Sequence, residues 1–137
     1  MRINLQEKIE RIKNWCLKKA SIENIEVKDL PYFKERELWW AHVGANIGFE
    51  QDGHGKKYLR PVLILKKINK NLFVGIPQTT KTKIDHKQYY KYTYGGRNFV
   101  LLLLQVRVFS SKRLDKKMGM LEEKHFNLIR KQFKDWL

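Results

Sequence analysis

Arg60-Pro61-Val62-Leu63-Ile64-Leu65-Lys66-Lys67-Ile68-Asn69-Lys70-Asn71-Leu72-Phe73-Val74-Gly75-Ile76 is the stretch that decides the fold. Val62 to Leu65 is a continuous apolar run without polar alternation, which reads as a strand buried on both faces. Asn69-Lys70-Asn71 is a turn, and Leu72 to Ile76 is the returning strand, so the stretch is a β-hairpin. Upstream, Leu38 to Val43 makes a first strand, followed by a Gly-rich stretch with Gly44, Gly48, Gly53 and Gly55. Downstream, beyond a Lys- and Thr-rich loop, Gln88 to Tyr94 alternates, with Tyr90, Tyr92 and Tyr94 on one face. Gly95-Gly96 then turns the chain, and Phe99 to Val108 returns as one long strand.

Both ends of the chain read as helices. Leu5, Ile9, Ile12, Trp15 and Cys16 recur at helical spacing from about residue 4 to 20, with Glu7 and Arg11 placed to pair at i,i+4. Cys16 lies on that apolar stripe, which predicts a small core residue. Residues 21–35, with Pro31, form a connection, and Phe126, Ile129, Phe133 and Leu137 share one face of a C-terminal helix. Five or six short antiparallel strands joined by hairpins predict a mainly β fold, a small antiparallel barrel closed by helices. The expected division is an N-terminal helical extension over residues 1–35 and a barrel domain over residues 36–137.

The 137 residues are 42% hydrophobic and 12% aromatic, which suits one ordered domain rather than a disordered chain. The single cysteine excludes a disulfide framework and a four-cysteine zinc site. The longest apolar run, Phe99 to Leu104, falls far short of the ~20 residues that cross a bilayer, and the N-terminus has no apolar signal core. A cytoplasmic protein without a membrane partner is expected. Charge is the strongest compositional signal: 29 Lys+Arg stand against 14 Asp+Glu, for a net +15. Residues 1–55 carry nine basic and nine acidic side chains, whereas residues 56–117 carry sixteen basic ones against Asp85 and Asp115. Such a local excess points to a polyanion, nucleic acid before a membrane surface, because the cations lie among strands rather than along one amphipathic helix.

The candidates for chemistry are few. His42, His54, His86 and His125 are scattered without metal-ligand spacing, so no metal or other cofactor is expected. No Gly-rich loop opens a helix, and no serine sits in a nucleophile elbow. Cutting RNA without a metal needs a group to take the 2′-hydroxyl proton, a clamp for the phosphoryl oxygens and a hydroxyl to orient them. Glu50, Arg60 and Thr79 are of those types. Each also has an ordinary use: Glu50 can pair with Lys56 or Lys57, Arg60 can snorkel at a strand start, and Thr79 can end a strand. Their spacing leaves convergence open.

Leu38-Trp39-Trp40, Gly48-Phe49-Glu50-Gln51, Arg60-Pro61-Val62-Leu63-Ile64-Leu65, Pro77-Gln78-Thr79-Thr80 and Gln105-Val106-Arg107, in that order, resemble the MazF/PemK family of toxin endoribonucleases over about residues 36–137. The resemblance implies an SH3-like barrel of the CcdB/MazF type and a homodimer. It also implies metal-independent cleavage of single-stranded RNA, usually mRNA at short motifs, and a cognate antitoxin whose acidic segment blocks the cleft. Carried over by position, Arg60 and Thr79 match the family's catalytic arginine and threonine. Glu50 matches a carboxylate that some members use as a base, and Gln105 and Arg107 match an RNA-contacting segment. Gln51, Lys56, Lys57, Thr80 and Lys81 complete the expected RNA-binding set.

Departures from the pattern matter. The loop from Glu50 to Arg60 is several residues longer than usual, with Asp52, His54, Lys56 and Lys57 inserted. His42 and Ala45 stand where many members have an acidic residue and a proline, and Leu104 replaces an acidic residue proposed as catalytic. The base is therefore Glu50 or unidentified, with His54 either a proton carrier or simply solvated. The tyrosine stripe either stacks bases or packs in the core or a dimer contact, and the N-terminal helix is covered by its own barrel, by a dimer mate or by the antitoxin. Two rival functions stay open: a non-catalytic nucleic-acid-binding barrel, and a toxin of the same fold that poisons a protein such as DNA gyrase.

Overall fold

The computed structural model describes residues 4–81 and 86–137. Most of the Lys- and Thr-rich loop expected after Thr80, including Asp85, lies outside the described residues. The chain runs α1 (Leu5–Glu23), β1 (Glu37–His42), β2 (Leu59–Lys67), β3 (Leu72–Thr79), β4 (Tyr89–Tyr94), β5 (Arg97–Leu102), β6 (Arg107–Ser110), β7 (Leu114–Met120) and α2 (Glu123–Trp136). All pairings are antiparallel, in the order β4-β5-β3-β2-β1-β7, with β6 also on β3.

The unbroken apolar run of β2 follows from its position between two cores. Leu63 and Leu65 pack with Leu38, Ile76, Leu101 and the α2 residues Phe126 and Ile129. Val62 and Ile64, on the opposite face, pack with Phe33, Trp39, Phe73 and Phe109. The β2–β3 pairing shifts register between Ile64 and Lys66, and such a bulge bends a sheet toward closure. The tyrosine stripe belongs to the core: Tyr92 is buried, and Tyr90 and Tyr94 pack against the same cluster.

Three expectations are corrected. The long strand from Phe99 to Val108 is broken by a 3-10 turn at Leu103–Gln105. Its two halves serve the same edge of β3, with Leu101 opposite Gln78 and Arg107 opposite Gly75, and the turn absorbs the register change between them. Among the described residues the sheet has seven strands, the unforeseen one being β7. Its Leu-Asp-Lys-Lys-Met-Gly-Met sequence carries one buried residue, Leu114, so it lacks the apolar signal of an inner strand. Leu137 lies past the end of α2 and is exposed, whereas Phe126 and Ile129 are buried as the shared face predicts.

The N-terminal helix is present but turned. Asn4 caps it, accepting a bond from the Glu7 amide at 2.8 Å. The buried residues are Trp15 and Ile22, two turns apart, which pack with Tyr58. Cys16 is exposed, against expectation, because one residue along a helix rotates a side chain by about 100° and carries it, with Leu5 and Ile12, to the outer face. Arg11 does not pair with Glu7 but reaches the loop between β1 and β2.

Candidate functional site

Most of the expected site residues divide between two of the cavities on the barrel. The first, about 470 Å³, is lined by His54, Arg60, Gln78, Thr79, Thr80 and Arg97 among others. Arg60 enters it from the start of β2 and Thr79 from the end of β3. The Arg60 side chain is buried yet fully engaged on one side. Its Nε donates to the Asp52 carbonyl at 2.6 Å, Nη1 to the Gln78 carbonyl at 3.2 Å, and Nη2 lies 3.1 Å from His54 Nε2. A guanidinium has only donors, so His54 Nε2 must accept, which makes the imidazole the neutral Nδ1–H tautomer. His54 is an exposed residue, but partial desolvation of its ring lowers its pKa, and the charges of Arg60, Lys81 and Arg11 push the same way against Asp52. Burial also lowers the Arg60 pKa, opposed by the Asp52 carboxylate.

Two of the five guanidinium N–H groups of Arg60 are not used by these three bonds. Thr79 is buried beside it, and its Oγ1 accepts from the Lys81 amide at 3.2 Å, leaving the hydroxyl proton to donate. The cavity thus presents donors fixed in advance and one neutral nitrogen base, an arrangement suited to holding a phosphate as charge builds on it.

The second cavity, about 390 Å³, is lined by Asn46, Glu50, Gln51, Gln105 and Arg107 with Pro77 and Phe109. Glu50 is exposed and accepts from the Ile47 amide at 2.9 Å, so the turn at 47–50 directs it away from the first cavity. Its charge reaches Arg107, whose pKa burial lowers and Glu50 raises, and whose guanidinium lies 4.6 Å from the Phe109 ring centre. Gln105 ties this cavity to the loop, donating to the Phe49 carbonyl at 3.1 Å and accepting from the Gln51 amide at 3.4 Å.

The structure therefore brings Arg60, Thr79 and Thr80 together and does not bring Glu50 to them. Lys81 follows Thr80 and its charge reaches His54, whereas Lys56 and Lys57 are exposed on a turn, Lys56 lining a groove against α1. Two contributors escape a reading of the sequence. Asp52 acts through a main-chain carbonyl, which no residue type announces. Gln78, inside the Pro-Gln-Thr-Thr stretch, is fully buried; its carbonyl holds Arg60 and its side chain accepts a hydrogen bond from Tyr92. Burial raises the Tyr92 pKa well above its ordinary value, so the phenol stays a donor.

A small antiparallel barrel, with a pinned arginine and a threonine pair at the mouth of one cavity, is the class of protein that fold and site define. Residues 34–137 match the family described as the PemK-like, MazF-like toxin of type II toxin-antitoxin systems, and the chain belongs to that family. The fold is shared with the crystal structure of MazF (Form-I) from Deinococcus radiodurans, at 20% identity and a TM-score of 0.63, over 77% of this chain and 97% of that one. It is also shared with MazE-MazF (Form-II) from the same organism, at 16% identity and a TM-score of 0.55, over 77% of this chain and 96% of that one. No curated protein matches the sequence.

Proposed function

We propose that this toxin is an endoribonuclease that cuts single-stranded RNA at the Arg60 cavity, without a metal, by attack of a 2′-hydroxyl on the adjacent phosphorus. The observation that carries this reading is the pinned Arg60 guanidinium beside Thr79 and a neutral His54. In the reaction the new bond joins the 2′ oxygen to phosphorus and the bond to the 5′ oxygen breaks. His54 Nε2 takes the 2′-hydroxyl proton once the phosphate has drawn Arg60 Nη2 to itself, and water protonates the leaving 5′ oxygen. The remaining Arg60 N–H groups and the Thr79 hydroxyl donate to the non-bridging oxygens. The product is a 2′,3′-cyclic phosphate. Glu50, Gln51, Gln105 and Arg107 act in the second cavity on a neighbouring nucleotide, while Thr80 and Lys81 extend the Arg60 cavity along the strand. Lys56 and Lys57 attract the RNA from a distance.

In this reading the enzyme works in the cytoplasm as a homodimer. An acidic segment of a cognate antitoxin competes with RNA for the cationic cavities, as a MazE-MazF relative supports. The test is incubation of purified protein with a long single-stranded RNA in EDTA. Cleavage upholds the reading. RNA bound in a salt-dependent way but left whole returns the protein to a binding barrel, and RNA neither bound nor cut points to a toxin acting on a protein.

A further inference from the structure

The first helix lies outside the segment that matches the family, yet it grips the loop that holds Arg60. The grip has two parts. Trp15 seats against Gly44 and Tyr58, the two ends of the 44–58 loop: Gly44 has φ +92°, and a Cβ there would strike the Trp15 indole. Tyr58 closes the contact by donating from its hydroxyl to the Arg11 carbonyl at 2.8 Å, with its ring 4.3 Å from the Arg11 guanidinium. Arg11 then reaches into the loop, donating to the Gly53 carbonyl at 2.6 Å and to the Gly55 carbonyl at 3.3 Å. The far end of the helix is anchored as well, where Lys112 donates to the Glu23 carbonyl at 2.8 Å.

These bonds alternate with those of the site. Asp52 gives its carbonyl to Arg60, Gly53 gives its carbonyl to Arg11, His54 faces Arg60, and Gly55 turns back to Arg11. Four consecutive residues are thus held between two arginines, one from β2 and one from α1. Gly53 permits the close packing, since a Cβ there would collide with the Tyr58 backbone. Gly48 and Gly55 have φ of +60° and +70°, and a segment so rich in glycine loses much entropy on ordering and gains little from its own side chains. Part of the order comes from within the loop, where Asn46 donates to the Gln51 carbonyl at 2.7 Å and the Gly53 amide to the Gly44 carbonyl at 2.8 Å, and α1 adds ties from outside.

We propose that α1 is a built-in clamp of the 44–58 loop and that Arg11 is a positioning residue, which sets the Arg60–His54 pair through the Gly53 and Gly55 carbonyls. The catalytic part of this inference rests on the endoribonuclease reading; the clamp itself does not. The distinction shapes the test, which uses the full chain with Arg11→Ala, Arg11→Lys and, as a control on the exposed side of the helix, Lys13→Ala. Hydrogen exchange of residues 51–59 and single-turnover cleavage of RNA are measured on each.

Arg11→Ala should speed exchange across residues 51–59 by at least about tenfold, since local opening follows the bonds that hold a segment shut. It should lower kcat by about tenfold with KM within about threefold, as expected when a catalytic group is displaced rather than removed. Arg11→Lys keeps the charge but loses the fork that spans two carbonyls, and should fall between wild type and Arg11→Ala. Lys13→Ala should match wild type in both measurements. Wild-type exchange in Arg11→Ala overturns the clamp. Faster exchange with unchanged kcat overturns the positioning role, and full activity of Arg11→Lys with wild-type exchange reduces Arg11 to a charge and overturns the fork. If wild-type protein leaves RNA intact, that failure belongs to the proposed activity, and the exchange data alone decide the clamp.

Discussion

Arg60 and Arg107 face two neighbouring cavities of one barrel, and they are held in opposite ways. Arg60 is buried and fixed at three of its donors by two main-chain carbonyls and an imidazole. Arg107 is exposed, lies over Phe109 and answers to the charge of Glu50. The two main-chain ties keep the guanidinium in place when the phosphate displaces the imidazole, so little reorganisation accompanies the developing charge, which is the condition for stabilising a transition state. A partly desolvated guanidinium resting on an aromatic face beside a carboxylate is suited to affinity and sequence preference. In the proposed reading, chemistry belongs to the first cavity and recognition to the second.

The largest effect should come from breaking the pinned member. Arg60→Ala should lower single-turnover cleavage by about 10³-fold, and Arg60→Lys should recover little because a lysine cannot replace the planar fork. Arg107→Ala should cost about tenfold, mostly in KM, and reduce the salt dependence of binding. Equal losses at both positions would erase the distinction between the cavities.

Next in size is the base. His54→Ala should slow cleavage by about 10²-fold, whereas Glu50→Gln should change kcat by less than about threefold, since the carboxylate is turned toward Ile47 and Arg107. The pH profile sharpens the same point. The base must be neutral, and the His54 pKa is lowered, so kcat/KM should rise with pH and reach its plateau with a midpoint below 6.5. A midpoint displaced upward would contradict the cationic surroundings of His54. The smallest effect concerns the support of the pinned arginine. Tyr92→Phe strands the buried Gln78 side-chain oxygen and should cost about 1–3 kcal/mol in denaturant unfolding, with a secondary loss of activity through the Gln78 carbonyl.

The hairpin from Arg60 to Ile76 was legible because a strand between two cores needs apolar residues on both faces, and Val62 to Leu65 supplies them. The identities of Arg60 and Thr79 were legible as types. Three things were hidden. β7 is an edge strand whose Lys116 and Lys117 discourage edge pairing, so its residues do not read as a strand. The partners of Arg60 are largely main-chain carbonyls, which side-chain chemistry cannot announce. The charge concentrated in residues 56–117 is also spread in space. Lys66 lines a groove beside α2 and Lys117 pairs with the buried Glu37 at 2.6 Å, while Arg97 lines the first cavity and the charge of Lys81 reaches His54. A run of cations in sequence is thus several surfaces in the fold, only some of which face the site.

The central claim is that a phosphate seated on Arg60 is attacked by its own 2′-hydroxyl. Mass analysis of the new ends of a short RNA cut by the wild-type protein in EDTA tests this most directly. The account predicts a 2′,3′-cyclic phosphate on one fragment and a free 5′-hydroxyl on the other, with no cut where a deoxyribose replaces the ribose at the cleaved position. A 5′-phosphate paired with a 3′-hydroxyl, or a cut at the deoxyribose, would contradict it.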